Sequence, residues 1–521
     1  MAPGFSVCRL RAASLALTAA TLLLTAACAQ ILESRYKSSD AATQFFATGY
    51  EHIAERYIEP VPIDRLAIDG LKGLETLEPA ISVRRTDGLV RLVLNDAVVA
   101  EFAAPGDSDP EAWASLTVAA LKASRVASPS LKDAAVEDLY EAMFDRIMSG
   151  LDQHSRYASA EAAQKQRAAR EGFGGIGIRL RMTEHAAEVL SVLPDTPAAR
   201  AGLQIHDRIT HIDHTPVAGL TIGQVIKWLR GPVDTKVHLG LRREGQADPL
   251  EVWLKRARIV PPSVSYRPDG NIAYIRVMSF NRQTAPDLAQ ALAKARREIG
   301  EEIQGVILDL RGNPGGLLDQ AVDVSDIFLA RGQIVATRGR HPDSVQLYEA
   351  SDPDLAVGLS LVVLIDGRSA SAAEIVAAAL QDRGRAVIIG TNSYGKGTVQ
   401  TVLRMPNDGE LVLTWSRIYA PSGYALHHLG ILPNICTSGV VDNAADLIET
   451  VREGRMEMSE MTARWRSIEF PDDFTIDVLR AACPSESSNP DIDLEVAERL
   501  LVDQALYHRV LVLSRPEVAT R

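Results

Sequence analysis

This sequence of 521 residues has few cysteines, no excess of positive charge and no long apolar run in its main body, and each shortage excludes a class of protein. None of its four cysteines stands beside a cluster of histidines or acids with metal-ligand spacing, so no metal site is predicted. Acidic residues outnumber basic ones by 67 to 55, and no basic stripe is available to bind nucleic acid. The sequence also lacks a P-loop, so ATP-driven unfolding of a substrate is not expected.

One short apolar run lies near the start of the chain. It covers residues 12–24 and follows Arg9 and Arg11. Because the run is too short to span a membrane and has basic residues before it, the pattern predicts a secretory signal peptide. Loss of the two arginines with the signal changes the net charge from −12 to −14. We therefore expect a protein of the bacterial periplasm.

Two cleavage sites fit the small residues that follow this run. Cleavage after Ala29 would remove a signal peptide of residues 1–29 and release a soluble protein. Cleavage before Cys28 would remove a lipoprotein signal of residues 1–27, and the lipid on Cys28 would then attach the protein to an envelope membrane. The sequence leaves both alternatives open.

The mature chain retains Cys436 and Cys483 as a further pair. An even number of cysteines in an oxidising compartment favours a disulfide between them. Such a bond would tie the end of the predicted core to the C-terminal tail. Two buried free thiols are the alternative.

Hydrophobic periodicity divides the mature chain into four regions. Residues 30–157 are mainly helical, with strand-like alternation at about 81–102. Residues 171–259 alternate short strands with two helices. Residues 262–435 alternate strands and helices in the manner of an α/β sheet. Residues 436–521 return to helical patterns without a motif that can be assigned.

A serine and a lysine lie at element boundaries of the α/β region. Ser371 follows an apolar strand and precedes a helical pattern, so its hydroxyl meets the unpaired amides at a helix N-terminus. Lys396 follows a second buried strand and stands between Gly395 and Gly397, which suits close backbone approach. Burial disfavours a charged lysine and lowers its pKa from about 10.4, which makes Lys396 a candidate general base.

Ordinary structural roles are the alternatives to this catalytic interpretation. Ser371 alone fits a helix cap, and Lys396 alone fits an exposed loop. Glu374 fits a first-turn acid that favours the helix dipole, and Asp382, three turns beyond Ser371 on the same helix, fits structural support. A histidine base is a further alternative, although no orienting context surrounds the three nearby histidines, His341, His427 and His428.

Taken together, the motifs of this chain resemble those of the carboxyl-terminal processing, or tail-specific, peptidase family. The similarity runs from about residue 51 to residue 435. It is carried by Leu151-Asp152-Gln153-His154-Ser155-Arg156-Tyr157, by Leu308-Asp309-Leu310-Arg311-Gly312-Asn313-Pro314-Gly315-Gly316, and by the Ser371 and Lys396 segments. Two departures are small, since Gln153 replaces a usual proline and Ala373 a frequent second serine. Neither removes a catalytic group.

The resemblance implies a PDZ-containing serine peptidase with a Ser/Lys dyad. Ser371 would be the nucleophile, Lys396 the general base and Gln400 the residue that orients it. The backbone amides of Ala372 and of Gly315 or Gly316 would form the oxyanion hole. The implied fold is a multidomain α/β protein, with a crotonase-like or ClpP-like catalytic core, an inserted PDZ domain and an N-terminal helical region. No cofactor is implied.

The glycine-rich start of the 171–259 region is where the PDZ resemblance predicts a binding loop. Backbone amides of Gly174, Gly175, Ile176 and Gly177 would hold a terminal carboxylate, while the next strand edge pairs with an extended peptide. The expected partners are proteins or peptides with accessible C-termini. Whether an adaptor protein delivers them is left open.

Function is thus expected to be that of a secreted or envelope serine endopeptidase that recognises C-terminal tails. One alternative is a catalytically silent PDZ scaffold that only binds such tails, against which the complete set of Ser371, Lys396 and Gln400 argues. Another is an α/β enzyme acting on small thioesters, which would leave the PDZ domain without a role.

Overall fold

The computed structural model describes residues 41–351, 353–440, 443–454, 458–468, 472–485 and 489–513. The predicted signal segment and its lipidation site Cys28 lie outside these residues. The chain forms two compact units: residues up to Ala163 join Gln400–Trp415 in the first, and Gln164–Val399 join the residues from Ser416 onward in the second. Within the described ranges, no helix combines the length and the apolarity needed to cross a membrane.

The first unit combines helices with a small antiparallel sheet. Its helices are α1 (41–56), α2 (Ile63–Lys72), α3 (Pro110–Ala127), α4 (Pro129–Asp133) and α5 (Val136–Ser149), and α6 (Ala160–Glu171) runs on into the second unit. Its sheet is formed by β1 (Ile81–Thr86), β2 (Leu89–Leu94) and β3 (Ala97–Ala103), in that order, and β4 (Arg156–Ala158) follows α5. Both hairpins turn on residue pairs with positive φ, Asp87-Gly88 and Asn95-Asp96, as two-residue hairpin loops require.

A β-rich insert begins the second unit. Its elements are β5 (Phe173–Gly175), β6 (Ile178–Met182), β7 (Ala187–Val192), α7 (Pro197–Arg200), β8 (Arg208–Ile212), β9 (Thr215–Pro216), α8 (Ile222–Leu229), β10 (Lys236–Arg242), β11 (Leu250–Lys255) and β12 (Ala257–Ile259). The main sheet has the order β11-β10-β8-β7-β6, and β5 pairs with β12 where the insert begins and ends. Ile209, Val225 and Leu239 lie fully buried in a core of its own.

An α/β core follows the insert. Its elements are β13 (Val264–Asp269), β14 (Ile272–Val277), α9 (Thr284–Ile299), β15 (Gly305–Asp309), α10 (Leu318–Asp326), β16 (Gly332–Arg338), β17 (Gln346–Ala350), β18 (Ser360–Ile365), α11 (Ala372–Asp382), β19 (Val387–Gly390), β20 (Thr398–Arg404), β21 (Glu410–Tyr419) and β22 (Ile435–Cys436). The central sheet has the order β13-β14-β15-β18-β19-β22. All its neighbouring strands are parallel except β13 and β14.

The parallel strands explain where the chemistry of this core is placed. β15, β18 and β19 are buried throughout, as strands covered on both faces must be. In open parallel sheets the loops at the carboxyl ends of the strands gather at one edge and form the binding site. Here those loops carry Gly315, Ser371 and Lys396. The α/β core, the β-rich insert and the N-terminal helical region together confirm the predicted fold class.

One segment within the predicted α/β region of 262–435 packs with the other unit. Gln400–Trp415 joins the first unit. The reason is apolar burial, because Met405, Leu411 and Leu413 are packed into the aromatic core of that unit. The start of β21 also pairs with β4, with Glu410 opposite Ala158.

The C-terminal segment is helical, and its residues 444–452 and 490–513 pack on one face of the central sheet, whereas Trp465 and Leu479 join the core on the other face. Its helices are α12 (Ala444–Arg452), α13 (Met458–Ser467), α14 (Asp473–Arg480), α15 (Pro490–Val502) and α16 (Gln504–Leu513). The Tyr507 hydroxyl donates to the Leu361 carbonyl at 3.0 Å and accepts from the Leu361 N–H at 2.9 Å. A disulfide joins Cys436 of β22 to Cys483, just beyond α14. The segment is therefore part of the α/β unit rather than a separate tail.

Candidate active site

Ser371 is the N-cap residue of α11 and has an unusual backbone conformation. Its φ of 56° and ψ of −113° are rare for residues other than glycine, and such a conformation costs about 1–3 kcal/mol. The Ser371 N–H donates to Glu374 Oε2 at 2.7 Å, and the Ala370 N–H donates to the Asn313 carbonyl at 2.9 Å. These bonds hold a half-buried serine at a sharp strand-to-helix turn, a position suited to a nucleophile.

Glu374 links the serine to the lysine. Its side chain is buried, and its Oε2 accepts the N–H groups of both Ser371, at 2.7 Å, and Lys396, at 2.9 Å. Its Oε1 accepts the Ser393 hydroxyl at 2.5 Å and the Gly395 N–H at 2.6 Å. Burial raises the pKa of Glu374, while these hydrogen bonds act in the opposite direction. Glu374 is a first-turn acid as expected, and its carboxylate in addition turns inward and holds two backbone segments together.

Lys396 lies half-buried between two glycines that the fold requires. Gly395 has a φ of 91°, and its carbonyl accepts the His428 N–H at 2.8 Å. A Cβ atom added at Gly397 would lie 1.9 Å from the backbone nitrogen of His427. The loop that carries His427 and His428 therefore packs directly against the backbone on both sides of Lys396.

The glycine turn after β15 contacts the serine. A Cβ atom added at Gly315 would lie 2.9 Å from Ser371 Cβ and 3.0 Å from the Ala372 backbone nitrogen. The Gly315 N–H already donates to Asn313 Oδ1 at 2.8 Å. Gly315 is therefore a poor oxyanion donor. The backbone N–H groups of Gly316 and Ala372 remain the predicted oxyanion hole.

Buried charges support this turn, and the sequence analysis assigned them no role. Asp309 accepts two hydrogen bonds from the Arg311 guanidinium, at 2.9 and 2.8 Å. Burial raises the pKa of Asp309, but the pairing with Arg311 outweighs it and holds the pKa below its ordinary value. Arg311 Nη1 also lies 3.1 Å from Asp493 Oδ2 of α15. A signal was present in the sequence, because the charged residues Asp309 and Arg311 stand at the end of an otherwise apolar strand.

Gln400 belongs to the first unit, where the Asp152 motif surrounds it. Gln400 Nε2 donates to Thr414 Oγ1 at 3.4 Å, and Thr414 Oγ1 donates to Asp152 Oδ1 at 3.1 Å. Asp152 also accepts the Ser155 hydroxyl at 2.6 Å. Burial raises the pKa of Asp152, but its hydrogen bonds, led by the one from Ser155, outweigh burial and lower it. The role of Gln400 toward Lys396 stays a prediction.

The remaining candidates have structural partners. Asp382 Oδ2 accepts the Ser422 N–H at 2.9 Å and hydroxyl at 2.6 Å, and its Oδ1 lies 2.7 Å from Arg466 Nη2. This agrees with the expected supporting role of Asp382. His341 accepts the Asp343 N–H at 3.2 Å through Nδ1 and so caps a short turn.

The predicted tail-binding loop borders an apolar groove in the β-rich insert. Gly174 and Gly175 are strand residues of β5 and pair with β12, whereas Ile176 and Gly177 lie in the short loop before β6. Gly177 has a φ of 84°. The groove has a volume of about 690 Å³, and Ile178, Leu180, Ile226 and Leu229 are among its lining residues.

Comparisons with known proteins match two regions of this chain. Residues 271–437 match peptidase family S41, and residues 188–243 match the PDZ domain. A carboxy-terminal-processing protease of Bartonella bacilliformis is 42% identical over 301 residues, which cover 57% of this chain and 69% of that protein.

Solved structures show similarity as well. A photosystem II D1 C-terminal processing protease is 25% identical, with a TM-score of 0.34, over 60% of this chain and 87% of that one. The PDZ domain of a carboxy-terminal protease from Vibrio cholerae, solved in complex with a peptide, is 29% identical, with a TM-score of 0.16, over 17% of this chain and 97% of that one.

Proposed function

This chain belongs to the carboxy-terminal-processing protease family and is a serine-type peptidase, and from that premise we propose that it is an endopeptidase with a Ser371/Lys396 dyad. The observation that carries the proposal is the Glu374 carboxylate, which accepts hydrogen bonds from the backbone N–H groups of both residues. A buried acid that holds the backbone of both residues keeps the two segments that carry their side chains in a constant arrangement. It suits a reaction that needs both at a constant distance.

The proposed reaction proceeds through an acyl-enzyme. Ser371 Oγ attacks the carbonyl carbon of the scissile bond, and its proton passes to the neutral amine of Lys396. The oxyanion accepts hydrogen bonds from the N–H groups of Ala372 and Gly316. Collapse breaks the C–N bond, and the Lys396 ammonium returns the proton to the departing amine. Water then hydrolyses the ester, with Lys396 again as the base and Gln400 orienting its amine.

Substrates are proposed to be proteins with accessible C-terminal tails. The groove beside β6 can accept an extended peptide as an added strand, with apolar side chains of the tail inside it. The backbone N–H groups of Ile176 and Gly177, in the loop before β6, are the proposed donors to the terminal carboxylate. This part of the proposal is supported by the PDZ match and by the size and apolar lining of the groove.

We propose that the protein is located in the bacterial periplasm. A lipid on Cys28 that anchors it to an envelope membrane is one of two alternatives to be tested. Mass spectrometry of the mature N-terminus separates the alternatives. A chain that starts with lipid-modified Cys28 is anchored, and a chain that starts with unmodified Gln30 is not.

Hydrolysis of an unfolded protein tests the dyad. We expect the mature chain to cleave unfolded casein, and Ser371→Ala and Lys396→Ala each to lose about 10⁴-fold in kcat, because nucleophile and base act as a unit. Lys396→Arg keeps the charge but cannot serve as a base, so it should be equally inactive. Lys294→Ala, on the exposed face of α9, is the control and should remain active. Activity that survives in Lys396→Arg but is lost in His427→Ala would replace the dyad by a histidine mechanism.

Amidation of the substrate tests tail recognition separately. Loss of the terminal charge removes charge-assisted hydrogen bonds that contribute about 1.5–3 kcal/mol each, so KM should rise about tenfold or more. Equal cleavage of amidated and free-acid forms of one protein would show that the groove does not bind C-termini, whatever the outcome for Ser371.

A further inference from the structure

The C-terminal segment contacts the loop that leads from β19 to Lys396. Asn392 Nδ2 donates to the Arg480 carbonyl at 2.8 Å, and the Asn392 N–H donates to the Cys483 carbonyl at 3.3 Å. In the other direction, Arg480 Nη2 donates to the Ser393 carbonyl at 2.9 Å. The end of α14 is thus bound to the residues that immediately precede the proposed base. This segment lies beyond residue 437, where the match to the peptidase family ends.

Arg480 also binds the second loop beside Lys396. Its Nη1 donates to the Leu429 carbonyl at 2.8 Å and lies 3.4 Å from the His428 carbonyl oxygen. The His428 N–H in turn donates to the Gly395 carbonyl at 2.8 Å. One planar guanidinium therefore bridges the segment that leads into Lys396 and the loop that packs against it, and its fixed fork of donors suits such a bridge.

A short chain of hydrogen bonds connects Arg480 to both proposed catalytic residues. The Ser393 carbonyl accepts from Arg480, while the Ser393 hydroxyl donates to Glu374 at 2.5 Å. Glu374 accepts the N–H groups of Ser371 and Lys396. A displacement of Ser393 would therefore change the contacts of the carboxylate that aligns nucleophile and base.

The disulfide fixes the position from which Arg480 acts. Cys483 is three residues beyond Arg480 and is bonded to Cys436 in β22. Cys436 pairs with Gly390 at the end of β19, the strand that leads into the Lys396 loop. The end of α14 is consequently tied covalently to the sheet at the same place where Arg480 binds the loop.

We infer that Arg480 is a positioning residue for catalysis, through which the C-terminal segment holds the Lys396 loop in its productive arrangement. The inference rests on the proposed Ser371/Lys396 dyad and adds to it a residue outside the peptidase core. The contacts described for Arg480 are to the backbone carbonyls of His428, Leu429 and Ser393. Its effect is therefore expected on turnover and not on substrate binding.

Steady-state kinetics of the full mature chain test this inference, with a short peptide taken from a mapped cleavage site in casein as substrate. Arg480→Ala should lower kcat about tenfold to a hundredfold, since small misplacements of catalytic groups have effects of this size, and leave KM within about twofold. Arg480→Lys keeps a cation that can reach one carbonyl at a time and should lose less. Millimolar guanidinium chloride should restore part of the activity of Arg480→Ala. A role in folding alone would not produce that rescue.

Arg499→Ala is the matched control. Arg499 lies in the same C-terminal segment, on α15, but pairs with Glu495 on the exposed surface. Its replacement should leave kcat unchanged.

Three results would overturn the inference: a wild-type kcat in Arg480→Ala, no guanidinium rescue of a folded Arg480→Ala, or an equal loss in the Arg499 control. If Arg480→Ala does not fold, a wild-type kcat in Arg480→Lys would contradict the inference and a reduced kcat at constant KM would support it. Activity in Ser371→Ala would instead remove the dyad on which the inference rests.

Discussion

The two glycine-rich turns of this protein are built differently, although sequence analysis predicts that both offer backbone amides to a negative group. In the turn after β15, a Cβ atom at Gly315 would lie 2.7 Å from the Ala370 carbonyl oxygen, and one at Gly316 would lie 2.1 Å from that of Phe280. In the loop before β6, the atoms nearest to a Cβ atom at Gly177 would be those of the Thr196 side chain, the first at 2.3 Å. The first turn is enclosed by backbone, the second by a side chain.

This difference in packing indicates how far each turn can change its conformation. A turn packed against fixed backbone and supported by the buried Asp309–Arg311 pair keeps one geometry, as an oxyanion donor must. The loop before β6 opens onto a groove and is bordered by side chains, which can adjust to tails of different sequence. The predictions below test this contrast between a fixed and an adaptable turn.

The largest effect is expected for Gly316→Ala. Its Cβ atom would collide with the Phe280 backbone, so the turn must shift and the proposed oxyanion donor with it, which should lower kcat about 10²- to 10³-fold. Gly312→Ala is the matched control in the same turn. Gly312 has a φ of 70°, but an added Cβ atom would meet nothing closer than the Arg368 guanidinium at 3.7 Å. It should destabilise the fold by about 1–2 kcal/mol and leave kcat within a few fold. Equal losses of kcat in the two variants would contradict the prediction that the backbone collision at Gly316 causes the loss.

A second prediction compares the two buried acids of α11. Glu374→Gln replaces an acceptor by an amide that faces N–H donors, and should lower kcat about a hundredfold by releasing Ser371 and Lys396. Asp382→Asn removes the negative charge that lies 2.7 Å from Arg466 Nη2 and should lower the free energy of unfolding by about 3 kcal/mol, as loss of one charge of a buried pair does. Thermal unfolding and kcat are measured for both. A stable, inactive Asp382→Asn would contradict the assignment.

The smallest effect is expected in the loop before β6. Gly177→Ala should raise KM for a tail-bearing protein about tenfold, because the positive φ and the Thr196 contact would displace an amide that we propose binds the tail carboxylate. Gly219→Ala is the control, since Gly219 of the same insert has a similar φ of 79° but an added Cβ atom there would meet nothing within 4 Å. Its KM should rise less than threefold, and kcat on short peptides should be unchanged in both. A fall in kcat for Gly177→Ala would mean that this loop is coupled to the chemistry.

Much of the catalytic core could be predicted because its signals are local. The strand Ile272–Val277 is bounded in the structure as its apolar pattern predicts, and the helix after Ser371 begins at Ala372. An apolar run followed by small residues and a helical pattern defines such a turn without knowledge of its neighbours.

The further partners of Glu374 were missed because its first-turn position already had a sufficient local explanation. Its other partners, Ser393 and Gly395, lie 19 and 21 residues further along the chain. A signal was present, since every residue of α11 is buried, and a carboxylate in a helix without a polar face has to find partners inside the protein. The partners themselves could not be identified from one sequence.

The hydrogen bonds and ion pairs of the C-terminal segment could not be predicted for the same reason, because their partners lie even further apart in the sequence. Arg480 and Ser393 are 87 residues apart, and Arg311 and Asp493 are 182 apart. No periodicity or motif marks such pairs in a single chain. The transfer of Gln400–Trp415 to the first unit likewise depends on apolar packing between distant segments.

Covalent labelling of the active serine tests the central claim most directly. The mature chain is treated with a fluorophosphonate, which reacts with activated serines, and the modified peptide is identified by mass spectrometry. The account predicts a single modification at Ser371, lost in Lys396→Arg and retained in His427→Ala. Modification at a different serine, or undiminished labelling of Ser371 in Lys396→Arg, would contradict it.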